Sequence, residues 1–369
     1  MIHPYRDLPD HCYWARSVAH MPPDEVDPML EAPFRLTRRT PVLTAGSCFA
    51  DRITKELDAR GYNLVMTERG HPLLPRHIAR AHGYGRHAAR YGNIYTARQL
   101  RQLLERAMGL FEPVEPPWRL RNGNWADPFR PTVQPGGFVS RHELLADRAR
   151  HLACVRTAFG TARVFIFTLG LTEAWHSLED GAVFPVAPGV AAGELDKTRH
   201  GFVDFSVEEI AADLARFLSL ARKINPELKV ILTVSPVPLA ATARPDRHVL
   251  AATTLSKAKL RLAAEISCRE QPGVAYFPAY EIVTGPHGRG RHFTGGLRDA
   301  SPTAIKRVMA SFFRHFAQET DAPPPQTQET PPHTARPGDR RRARLFAAAC
   351  DEVLNDETEC SGGKSSHVH

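Results

Sequence analysis

The stretch Thr44-Ala45-Gly46-Ser47-Cys48-Phe49-Ala50-Asp51 decides the fold. A short apolar run from Pro41 to Thr44 ends in a Gly-Ser turn, and a helix-like segment from Asp51 to Ala59 follows at once. A serine between the carboxyl end of a strand and the amino end of a helix meets free backbone N–H groups and the positive end of a helix dipole. A nucleophile placed there gains from oxyanion stabilisation. Two blander readings stand beside this one. Serine is a favoured N-cap in any case, and Cys48 reads more simply as a packed side chain than as a thiol activated by the helix start.

Outward from this turn, the pattern alternates between strand and helix. Asn63 to Met66 reads as a second short strand, and Tyr95-Thr96 opens a helix with Leu100, Leu103, Leu104 and Ala107 on one face. Ser140 to Phe159 is a helix with a capping-box pattern, Ser140 and Glu143. The continuous run Val164 to Leu169 suits a strand covered on both faces. Ser206 to Lys223 forms an amphipathic helix, Lys229 to Val234 the next buried strand, and Leu250 to Cys268 a helix with Leu255, Ala258, Leu262 and Ile266 in phase. A last strand, Val274 to Phe277, precedes a helix that starts near Pro302. Alternation of this kind implies an α/β fold: a three-layer, doubly wound parallel sheet with right-handed crossovers.

Residues 1–37 read as an irregular, Pro-rich arm anchored by Tyr13 and Trp14, and 38–318 as the main domain. Two long insertions fall near 111–138 and 176–204; Trp118, Trp125 and Phe129 of the first are candidates to stack on a sugar or to pack the insertion down. Residues 319–369 read as a low-complexity tail, with a short docking helix at 344–355.

Composition narrows the function classes. The 369 residues carry a net charge of +8, yet the basic residues are dispersed except for a cluster at Arg340 to Arg344, which argues against nucleic acid as the main partner. No run of about 18 apolar residues occurs, so no membrane span is expected. The polar start, Met1 to Asp10, and six scattered cysteines without a CxxC pair point to a cytoplasmic chain with reduced thiols and no structural zinc. No metal or cofactor motif is present, and none is expected.

In open parallel sheets, sites lie beyond the carboxyl ends of the strands. Four polar segments compete for that edge: Gly46-Ser47, Gly170 to Trp175, Ser235 to Pro238, and Leu297 to Pro302. Their convergence is a geometric expectation. At this point the chain resembles the GSCFA family. Gly46-Ser47-Cys48-Phe49-Ala50 spells its signature, and Thr168 to Glu173, Leu232 to Val237, and Tyr276 to Glu281 resemble its further motifs in order, over roughly residues 38 to 317. That family is similar to SGNH/GDSL-type hydrolases. The resemblance implies a flavodoxin-like sheet, Ser47 as nucleophile, and ester hydrolysis or O-acyl transfer on a carbohydrate or related hydroxyl compound.

Carried over residue by residue, the resemblance implies an oxyanion hole built from the N–H of Ser47, from Gly92 or Asn93, and from Thr172, which stands where related hydrolases carry an asparagine. Trp175 and Ser235 would touch substrate. The Asp-x-x-His of SGNH enzymes is not matched: Asp299 is present, but Pro302 stands where the histidine belongs. The plausible imidazoles are His292 and His248, of which His248 is favoured because its loop follows Ser235-Pro236; Glu173 or Asp299 would orient it. The unmatched asparagine and histidine also support a different class of function, a non-catalytic carbohydrate- or partner-binding module on the same frame.

Overall fold

The structure, a computed structural model, describes residues 3–318; the tail and its expected helix at 344–355 lie outside the described residues. Four strands form the central sheet: β1 (Val42–Ala45), β4 (Val164–Leu169), β8 (Lys229–Val234) and β9 (Val274–Tyr276), hydrogen-bonded in the order β1-β4-β8-β9 and all parallel. The expected strand at 63–66 shrinks to one parallel bridge, Val42 to Leu64, on the far side of β1. The chain there pairs only through Val42 N–H to Asn63 and Val65 N–H to Val42 before it turns to hydrogen-bond Ala88.

Period-two alternation sends neighbouring strand residues to opposite faces. Leu43, Phe165, Phe167, Leu169, Val230 and Leu232 join one core with helices α3 (Ala97–Ala107), α4 (Arg141–Thr161), α5 (Val207–Ile224) and α6 (Val249–Glu270). Val42, Val164, Ile166 and Ile231 join a second core with α1 (Cys48–Ala59), α7 (Ala279–Thr284) and α8 (Pro302–Phe316). Helices thus cover both faces of a parallel sheet. A short helix, α2 (Arg76–Ala81), lies outside these cores.

Helix starts follow local chemistry. The Ser206 hydroxyl accepts from Glu209 N–H while the Glu209 carboxylate accepts from Ser206 N–H, and Thr96, Ser140 and Ser301 each cap their helices through the side chain. The phase expected for α6 is corrected. Its buried face is Ala252, Ser256, Lys257, Leu260, Ala263, Ala264 and Ser267, whereas Leu262 is exposed. Small residues let this helix approach the sheet closely, and a leucine count alone selects the wrong side.

The arm is held differently from expectation as well. Trp14 is exposed; the anchors are Met29, Phe34 and Leu36, buried in the second core, with Asp27 accepting from Ser311 and Arg314 of α8. The two insertions pack on one another. The first carries the hairpin β2 (Trp118–Arg119) and β3 (Trp125–Ala126). The second is a three-stranded antiparallel sheet, with β5 (Glu173–Ser177) between β6 (Val183–Phe184) and β7 (His200–Asp204). Trp118, Phe129, Ala182 and Phe184 form their shared core, so Trp118 and Phe129 serve packing.

Candidate active site

At the carboxyl edge of the sheet, backbone hydrogen bonds stitch the strand ends together. Ile94 N–H donates to the Gly46 carbonyl (2.9 Å), Gly170 and Leu171 N–H both donate to the Tyr95 carbonyl (3.1 and 2.9 Å), and Ser235 N–H donates to Leu169 (2.8 Å). Gly46 has φ +145°, and a Cβ there would fall 2.8 Å from Thr168 Cβ and 2.9 Å from both Ala50 Cβ and the Thr168 carbonyl. Only glycine brings Ser47 this close to β4.

One cleft opens on this edge, and residues from all four polar segments line it: Ser47 and Cys48, Gly170 and Leu171, Ser235 with the run Val237 to Ala241, and Arg298, joined by Tyr95. It encloses about 520 Å³, its open mouth included. Ser47 stands at the N-cap position of α1, yet its side chain makes no capping hydrogen bond. The hydroxyl is therefore not consumed by the role that serine ordinarily plays at a helix start. Ser235, 1 % exposed, accepts from Val237 N–H through Oγ and keeps its own hydroxyl proton to donate. Among the described residues that line the cleft, Arg298 carries the formal positive charge, and there is neither histidine nor carboxylate.

Beneath this cleft lies a residue that sequence reading missed. Lys257 of α6 is 1 % exposed, and its Nζ donates to the Gly170 carbonyl at 2.7 Å. Burial pulls its pKa down to about 7, against a smaller opposing pull from the Cys48 thiol. A buried amine with its pKa lowered this far, bonded to the wall of a cleft, is a candidate for proton transfer. The signal in sequence is a lysine amid small residues on the helix face turned to the sheet, Ser256-Lys257 with Ala263-Ala264 two turns on.

The other expected site residues are placed as follows. Gly92 has φ +70° and, with Asn93, flanks the Ile94 contact to Gly46; Asn93 Nδ2 donates to the Tyr95 hydroxyl at 2.8 Å. Thr172 is buried, and its hydroxyl donates to Asp204 Oδ1 at 2.7 Å, which takes its proton away from any oxyanion. Glu173 accepts from Thr242 Oγ1 (2.8 Å) and Ala243 N–H, so it tethers the loop that walls the cleft. His248 is exposed and caps α6, Nδ1 accepting from Leu250 N–H at 3.2 Å; it is not among the residues lining the cleft. His292 is buried against the Val283 carbonyl and Arg307. Asp299 is exposed, its carbonyl accepting from Thr294 N–H. Trp175 packs edge-on against Phe202, within the insertion sheet.

No helix among the described residues is long and apolar enough to cross a membrane. Among them, too, no three His, Cys, Asp or Glu side chains are grouped to hold a metal ion.

Solved structures similar to this one include two described as family 3 carbohydrate esterases. A carbohydrate esterase family 3 protein from Talaromyces cellulolyticus shares 10 % identity over 74 % of this chain and 94 % of its own, with a TM-score of 0.34. A family 3 carbohydrate esterase from Clostridium thermocellum shares 10 % identity over 76 % of this chain and 95 % of its own, with a TM-score of 0.32. No curated protein matches the chain. Residues 41–312, from the strand that precedes Ser47 into the last helix, match the model of the GSCFA family, and the chain belongs to that family.

Proposed function

We propose that this protein is a serine-dependent ester hydrolase or O-acyltransferase of the SGNH type, acting on an acylated carbohydrate or related hydroxyl compound. The observation that carries the reading is Ser47: a hydroxyl at the N-cap of α1, in a cleft, with no capping bond to occupy it. Ser47 Oγ attacks the acyl carbonyl carbon, and the developing oxyanion is held by Ser47 N–H at the helix start and by the Ser235 hydroxyl. Gly92 and Asn93 shape the loop at Gly46 that supports this corner. Arg298 and Tyr95 hold the remainder of the substrate.

The proton from Ser47 passes to Lys257, whose pKa burial lowers to about 7, so that about half of the amine is neutral at pH 7 and most of it above. Lysine replaces imidazole in known variants of the nucleophile–base pair. His248, spent on capping α6, is not needed for this step. Lys257 gives that proton to the departing sugar oxygen as its bond to the acyl carbon breaks, which leaves the acyl group on Ser47 Oγ; the neutral amine then takes a proton from the attacking water or acceptor hydroxyl and returns it to Ser47 Oγ as the acyl–enzyme bond breaks.

The lack of histidine and carboxylate on the cleft lining favours a second reading, a carbohydrate-binding module without turnover. Hydrolysis of p-nitrophenyl acetate and of acetylated sugars separates the two. The enzyme reading expects Ser47→Ala to lower kcat/KM by at least about a thousandfold. Binding of the acetylated sugar without hydrolysis by the wild-type protein establishes the module instead.

A further inference from the structure

A second cavity lies behind the loop that supports Ser47, between α3, α4 and the first insertion. Tyr91 and Ile94 form its wall toward the nucleophile; Gln102, Arg106, Arg130 and His151 supply its polar lining. Three of these side chains each keep a buried nitrogen without a partner: Arg106 Nε, Arg130 Nη1 and His151 Nε2. They are 9, 4 and 1 % exposed. Three buried nitrogens from separate elements thus keep hydrogen-bonding capacity at this lining, and a polar occupant would satisfy them.

The chemistry of the lining selects the ligand. Asp127, Asp147 and Glu68 face Arg90, Arg130 and Arg148 in a buried ion-pair network. Arg106 is a fourth cation against these three carboxylates; its guanidinium sits over the Phe129 ring, 4.1 Å from the centroid. One positive charge is thus left over in a buried place. Water would satisfy donors but not that charge.

His151 adds a further requirement. Its Nδ1 meets Glu68 Oε2 at 2.7 Å. Burial and the Arg130 charge hold its pKa near 4, so the ring is neutral. Burial pushes the Glu68 carboxyl up, but hydrogen bonds from His151 and the Arg90 N–H, together with the Arg130 charge, outweigh it and hold the carboxyl below its ordinary range, so Glu68 is ionised. The single ring proton then belongs on Nδ1, and Nε2 offers a lone pair. The ligand must accept from two guanidinium groups and donate to one imidazole.

We propose that this cavity binds a small monovalent oxyanion that bears one hydroxyl, of the hydrogencarbonate type, with Arg106 and Arg130 donating to its charged oxygens and its hydroxyl donating to His151 Nε2. The site is independent of the chemistry assigned to Ser47. It touches the catalytic corner through structure: the Tyr91 hydroxyl donates to the Thr44 carbonyl and Ile94 N–H to Gly46, so an occupied cavity braces the turn that carries the nucleophile.

Thermal unfolding of the full chain at pH 8 and constant ionic strength tests this. Hydrogencarbonate should raise Tm in a saturable way. Nitrate, a planar monoanion without a hydroxyl, and chloride should raise it less. Arg106→Met should abolish the hydrogencarbonate increment, and His151→Phe should erase the preference over nitrate. Equal Tm in the three salts, or an increment that survives in Arg106→Met, overturns the proposal. Should Arg106→Met fail to fold, the ranking of hydrogencarbonate against nitrate on the wild-type chain decides alone.

Discussion

Replacing Lys257 with methionine separates what this residue costs the fold from what it gives the reaction. A lysine pKa of 10.5 brought to about 7 by burial corresponds to a penalty of about 5 kcal/mol at about 1.36 kcal/mol per pH unit. The sign follows from proton binding. The unfolded chain keeps the lysine proton up to its ordinary pKa, whereas the native chain releases it near 7, so the unfolded state binds more protons between these values and stability rises with pH there. The penalty is fully felt below pH 7 and has gone above the unfolded pKa. Methionine fills similar volume and removes the amine, but it leaves the Gly170 carbonyl without its 2.7 Å partner, at a cost of about 1–2 kcal/mol. The net expectation is that Lys257→Met is about 3 kcal/mol more stable than wild type at pH 7, and that this gap narrows by about 2 kcal/mol by pH 9. Urea unfolding at pH 7, 8 and 9 reads it directly. In the same samples, esterase activity of the wild type should rise through pH 7 as the amine loses its proton, and the variant should lose at least about a hundredfold. A stability gap that does not change with pH would show an ordinary lysine, and wild-type turnover in the variant would refute its role as base.

Three further substitutions probe separate links. Gly46→Ala places a Cβ 2.8 Å from Thr168 Cβ at φ +145°, and denaturant unfolding should show a loss of about 2–4 kcal/mol; a neutral result would mean that the turn relaxes freely. His87 is buried with both ring nitrogens unpartnered, and desolvation, reinforced by the Arg86 charge, lowers its pKa from 6.5 to about 3. Its unfolded form takes up the proton first as pH falls, so stability is lost between about pH 6.5 and 3; His87→Leu should recover about 2 kcal/mol at pH 5 relative to pH 8, and an unchanged pH profile would contradict the assignment. Thr172→Val removes the hydroxyl bonded to Asp204; stability should fall by about 1–2 kcal/mol with kcat/KM within a few-fold of wild type, whereas a loss of about a hundredfold would restore Thr172 to the oxyanion hole.

Much of this architecture was legible because local and global signals agree. The run Val164 to Leu169 is buried at every position, as a strand between two helical layers must be. Ser206 and Glu209 announce α5 by spacing, and the capping box forms as read. The four polar segments meet in one cleft because parallel strands deliver their carboxyl ends to a common edge. Other features were hidden for physical reasons. Side-chain size selects the wrong α6 stripe, because burial there follows closeness of approach: Ala263 and Ala264 face inward while Leu262 faces water. That error of phase concealed Lys257. The short pairing at Leu64 ends because Thr67 and Glu68 N–H turn to Ala88, a tertiary demand with no mark in residues 63–66. His248 follows Ser235-Pro236 in sequence, but the loop reaches the cleft with Val237 to Ala241 and is pinned at Thr242 by Glu173, so the histidine is carried past the cleft to the start of α6.

In the proposed reaction Ser47 Oγ takes up an acyl group. Treating the wild-type protein with a serine-directed fluorophosphonate, followed by intact-mass and peptide analysis, measures this most directly. One adduct should form, mapped to Ser47, that is absent in Ser47→Ala, persists in Cys48→Ser and forms much more slowly in Lys257→Met. No adduct at saturating reagent, or an adduct on another residue that persists in Ser47→Ala, would contradict it.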